Sequence, residues 1–123
     1  MALPTIDTNP WMLYGKLLTE TKELIDTIKA RLNAGGLRDA EIETLLQQRD
    51  ALIDLRTLLS AAVNAGDWEN QGNFREPGPD HIRRVREIAQ LVDAANRHDA
   101  TVEIIIVAAD AILSLAGELY ADA

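Results

Sequence analysis

Apolar residues return at steps of three and four along most of the chain, the spacing of helices with one face turned inward. In the first such stretch, Trp11, Tyr14, Leu18, Ile25, Ile28 and Leu32 keep a heptad spacing, with Thr21 in the gap and Leu17 and Leu24 widening the stripe. Asn9 is a good N-cap for this helix, and Pro10 suits its first position, where the missing N–H is not needed. Gly35 or Gly36 in "NAGG" is suited to end it in the left-handed conformation. A second stripe, Ile42, Leu45, Leu46, Leu52, Ile53, Leu59 and Val63, predicts a helix capped by Asp39. The short turn between the two makes them an antiparallel hairpin.

The pattern then breaks. "GDWENQGNFREPGP" has no helical period and is long for a loop inside a compact domain. Periodicity resumes after it with Ile82, Val85, Ile88, Ala89, Val92 and Ala95, for which Asp80 is the expected cap. The last stretch, capped by Asp99, is apolar on all but a narrow stripe of Glu103, Asp110, Ser114 and Glu118, so it should be the most buried helix. The expected elements are helices at about 10–34, 39–65, 80–97 and 99–121 with a loop at 66–79. They make an all-α four-helix bundle of two hairpins, within the length of one domain.

Composition refines this picture. With 47% hydrophobic and only 4% aromatic residues, the core must be aliphatic, which suits packed helices. The absence of cysteine excludes disulfides and thiolate chemistry. A net charge of −8 disfavours nonspecific nucleic-acid binding. The start of the chain has no signal-peptide pattern and no apolar run suffices for a bilayer. No membrane association is therefore expected, and the expected location is cytoplasmic or within an intracellularly assembled particle.

Charge is unevenly spread. His81 to His98 holds four Arg against Glu87 and Asp93, whereas Asp99 onward has five acids and no base. Either the two segments lie side by side and neutralise each other, or the basic one meets a partner. Arg83, Arg84 and Arg86 crowd the start of the third helix, with Arg75 in the loop before it. Positive charge there opposes the helix dipole, yet a helix N-terminus with Arg side chains suits an anion such as phosphate, a nucleotide or a partner's carboxylates. Trp68 and Phe74 in the loop either plug the bundle end or join such a site.

Arg49 and Arg56, seven residues apart, fall within the second helix's apolar stripe. They either reach to the bundle edge, pair with Glu103 and Asp110, or meet another subunit or an anionic ligand.

Catalytic patterns are thin. The two histidines form no Glu-x-x-His pair, and no phosphate-cradling glycine loop is present. Glu20-x-x-Glu23 in "ETKELID" and Asp110 in "VAADAIL" resemble, in part, the all-helical NTP pyrophosphohydrolases of the MazG and dimeric dUTPase type. In that family a Glu-x-x-Glu helix and a Glu-x-x-Asp helix hold Mg²⁺. Here Val107 stands where the second pair needs an acid.

The leading expectation is a non-enzymatic, acidic helical interaction or assembly protein, without cofactor or metal. It would associate with itself, with other protein subunits, or with both, as an adaptor or structural subunit. An anion- or nucleotide-binding regulatory or sequestering protein is the alternative. A Mg²⁺-dependent pyrophosphohydrolase-like enzyme is a distant third.

Overall fold

The computed structural model describes residues 5–65 and 74–120. Its four helices are α1 (Leu13–Ala34), α2 (Asp39–Ala65), α3 (Pro79–Ala95) and α4 (Val102–Leu119), and the described residues include no strand. They pack as an all-α four-helix bundle. None of the described helices is long and apolar enough to cross a membrane.

Asn9 caps the first turn as expected. Its side chain accepts from the Trp11 N–H, Pro10 opens a short 3₁₀ turn through Met12, and α1 continues from there. At the other end Gly35 and Gly36 both have positive φ, 76° and 77°, a conformation that costs glycine little. The chain thereby reverses into α2 within a few residues.

Three caps differ from expectation. Helix α2 begins at Asp39 itself, because the Arg38 N–H donates to Glu41 Oε1 (2.9 Å) and the Arg38 carbonyl accepts from Ile42 (3.0 Å). Arg38 thus occupies the cap position, with Glu41 supplying the return bond of a capping box. Helix α3 begins at Pro79, with Gly78 as cap, since proline is favoured at the first helical position and Asp80 then falls one place inside. The Gly78 N–H donates to Nδ1 of His81 (2.9 Å). Helix α3 stops at Ala95 and α4 starts after Thr101, not Asp99, because residues 96–100 are used in turn hydrogen bonds that reverse the chain.

Helix α1 packs beside α2 and α3, and α4 beside α3 and α2; α1 also meets α4 across the bundle. Helices α2 and α3 therefore occupy the other diagonal. Residues 66–78, between them in the chain, are more numerous than those of either hairpin turn.

The core is aliphatic, as composition requires. In α1 it takes Leu13, Tyr14, Leu17, Leu18, Leu24, Ile25 and Ile28, with Thr21 buried among them. The Thr21 hydroxyl donates to the Leu17 carbonyl (2.7 Å), which satisfies it inside the helix. Helix α4 turns eight residues inward from Val102 to Leu119, the densest share of any helix.

Helix α2 is rotated from the expected stripe. Its buried seam is Leu45, Gln48, Leu52, Leu55, Leu59 and Ala62, and Ile42, Leu46, Ile53 and Val63 lie at the edge, half-buried. A glutamine in the seam hides it from a purely apolar reading.

An aromatic knot closes the end where α1 begins and α4 finishes. Phe74 is buried between Tyr14 and Tyr120, with ring centroids 4.8 and 5.2 Å away, and Trp11 stands 6.0 Å from Tyr14. The Arg75 N–H donates to the Leu119 carbonyl (2.9 Å), and the Tyr14 hydroxyl donates to the Arg75 carbonyl. Phe74 thus plugs the bundle end; Trp68 lies outside the described residues.

Truncating Phe74 opens this end. Phe74→Ala is expected to cost about 3–5 kcal/mol, read from denaturant unfolding. Burial also pushes the Tyr14 phenol well above its usual value. An acid whose folded pKa is raised contributes stability that is complete below the unfolded value, near ~10, and is lost as pH rises past it. The melting temperature should therefore fall above about pH 10. In Tyr14→Phe that part of the fall should disappear, while stability at neutral pH drops by about 1 kcal/mol for the lost hydrogen bond.

Candidate functional site

The arginines at the start of α3 do not form one site. Helical geometry sends Arg83 and Arg86 to one flank and Arg84 to the other. On the first flank a groove of about 540 Å³ is lined by Pro10, Pro77, Pro79, Ile82, Arg83 and Arg86, together with acids. Arg83 bonds to Asp80 and to Glu87 along its own helix, both within salt-bridge distance. The Arg83 hydrogen bond holds the Asp80 carboxyl below the usual carboxylate range, and the same bond raises the Arg83 guanidinium. Arg86 reaches back to the N-terminal segment, where it donates to both carboxylate oxygens of Asp7 at 2.7 and 2.8 Å.

On the other flank Arg84 is mostly covered and pairs with Glu118 of α4 at 2.6 Å. This contact joins the basic helix to the acidic C-terminal segment beside it. Arg75 has an exposed side chain and serves the fold through its backbone; Phe74 belongs to the core.

Two arginines in the groove thus carry three acids. An incoming anion would have to displace Asp7 or outcompete the carboxylates of Asp80 and Glu87. All these side chains are more than half exposed, where water and salt weaken ion pairs, so each pair itself contributes little stability.

The pairing of Arg49 and Arg56 with Glu103 and Asp110 is corrected. The rotation of α2 places both arginines at the edge of the seam, half-buried. Arg49 turns to its neighbour Asp50 (3.1 Å), and Arg56 makes no ion pair among the described residues. Their apolar stems lie against the bundle while their heads reach water. Glu103 and Asp110 are exposed on α4. The partner of Asp110 is the buried Gln48, whose Nε2 donates to Asp110 Oδ1 (2.9 Å) and to the Ile106 carbonyl (3.1 Å).

Gln48 escaped the sequence reading, although a signal existed: it stands seven residues before Leu55 and fourteen before Ala62, on the true seam. Glu20 of the Glu-x-x-Glu pair lies inward. It is buried, and Lys16 one turn earlier meets its carboxylate at 3.0 Å. Glu23 is exposed, and Asp110 sits on α4 against Gln48. Among the described residues no three His, Asp or Glu side chains gather as a metal site would require.

Comparison with protein-family models, with curated proteins and with solved structures finds no match for this chain.

Asp110→Leu removes an exposed carboxylate bonded to an amide and leaves no buried charge behind. It should cost about 1 kcal/mol, not the ~3–5 kcal/mol of a broken buried ion pair. Arg56→Leu should be neutral within about 0.5 kcal/mol, both variants being read from urea unfolding.

Proposed function

We propose that this acidic bundle is a non-enzymatic interaction or assembly protein that associates with copies of itself, as an adaptor or structural subunit. The observation that carries this reading is where large apolar side chains stand exposed. Leu58 on α2 is 42% exposed and Val107 on α4 is 49% exposed, although the two helices are neighbours. Val107 interrupts the polar stripe of Glu103, Asp110 and Ser114 at its middle. Scattered apolar residues are ordinary on surfaces, so the support lies in two large ones standing exposed on adjacent helices, with Ile53 and Ile104 of the same two helices only half-buried.

The charge distribution supports the same choice. Arg83, Arg84 and Arg86 at the start of α3 are each engaged by a carboxylate of this chain. The anion or nucleotide reading therefore stands second, resting on the groove beside Arg83 and Arg86. The pyrophosphohydrolase-like reading has no gathered carboxylates to rest on among the described residues.

The test is solution mass by light scattering after size exclusion, at low and high salt. A salt-resistant oligomer is expected, reduced to the 13.5 kDa chain by Leu58→Glu with Val107→Glu while helical circular dichroism is retained. A 13.5 kDa monomer of the unaltered chain in both buffers would discard self-association. A melting temperature raised by phosphate or nucleotide, and insensitive to them after Arg83→Ala with Arg86→Ala, would favour the second reading.

A further inference from the structure

We infer that Gln48 is a positioning residue that sets the register in which the α1–α2 hairpin docks on the α3–α4 hairpin, at a cost in stability. This role is independent of what the bundle binds.

Leu45, Leu52 and Leu59 repeat the same side chain every seven residues along the buried seam of α2. The alternate seam positions are Gln48, Leu55 and Ala62. The facing helix α4 offers only aliphatic side chains inward, among them Ile105, Ala108, Ile112 and Leu115. Leucine against isoleucine or alanine tolerates sliding, because apolar burial has no direction. Parallel neighbours such as α2 and α4 can slip by a turn and bury similar surface.

Gln48 breaks the repeat. It is 93% buried by its 7% exposure, and its amide spans the hairpin interface to the Ile106 carbonyl and the Asp110 carboxylate. The orientation of the amide follows from chemistry, since both partners are acceptors and only Nε2 can donate to them. In a slipped register Asp110 swings away and the amide N–H groups lose their acceptors inside the core, which buried polar groups do not tolerate. Other hydrogen bonds and ion pairs between the hairpins, Thr27 to Asn96 and Arg86 to Asp7, are exposed, where water can replace them. The cost of this device is visible: Oε1 of Gln48 is buried with no donor among the described residues.

Replacing Gln48 by leucine removes that orphaned acceptor. Asp110 is exposed and can hydrogen-bond to water, so the change leaves no unpartnered group behind. Register is read by electron–electron distance measurement on the full chain. It contains no cysteine, so spin labels on cysteines replacing the exposed Glu43 and Ser114 are the only ones present. These positions lie on α2 and α4, separated along the bundle, so a slip alters their distance.

The labelled chain should give one narrow distance. Gln48→Leu should raise the melting temperature by about 4 °C yet broaden the distribution or add a second distance, a slip of one turn being about 5.4 Å along the axis. Asp110→Ala, which weakens the same contact from the surface, should broaden it less without raising the melting temperature. One unchanged narrow distance in Gln48→Leu would overturn the inference, and so would a lowered melting temperature or loss of folding in that variant.

Discussion

Burial of the Phe74 ring between Tyr14 and Tyr120 is the contact on which the closed end of the bundle depends. Helices α2 and α3 stand at diagonally opposite corners of the bundle. Phe74 supplies an apolar anchor ahead of α3, and the flanking backbone ties it to both hairpins: the Arg75 carbonyl accepts from Tyr14 of α1, and the Arg75 N–H donates to the last residue of α4. A ring with two hydrogen bonds to the backbone beside it fixes the described chain just before α3. The start of α3, with its arginines and its proline-lined groove, is placed by the same anchor.

Charge is largely settled within the chain. Asp7, Asp80, Glu87 and Glu118 answer Arg86, Arg83 and Arg84, so the basic segment does not present bare positive potential. The surplus of acid remains on the outside, at positions such as Glu103 and Asp110. Such a surface repels polyanions.

Regular periodicity made most of the helices legible. Helices α1 and α2 fall where the spacing of apolar residues puts them, and glycine at 35 and 36 ends the first by its backbone freedom. The caps were less legible, because serine-like side chains compete with other solutions. Arg38 with Glu41, and Gly78 with Pro79, satisfy helix ends without the aspartates that simple preference favours. Arg49 and Arg56 misled for a related reason: on an idealised wheel drawn through Ile42, Leu46 and Ile53 they lie inside, and only the true rotation of α2 moves them to the edge.

The sequence by itself determined that the chain is helical, that its core is aliphatic, and where the hairpin turns fall. Those properties follow from period, composition and local backbone preference, which act between residues close in the chain. Tertiary structure alone decided that Gln48 faces inward, that Arg86 answers Asp7 and that Arg84 answers Glu118. Each of these joins residues separated by tens of positions, and each depends on the rotation and register of whole helices. A helix's own period leaves both undefined until a neighbour packs against it.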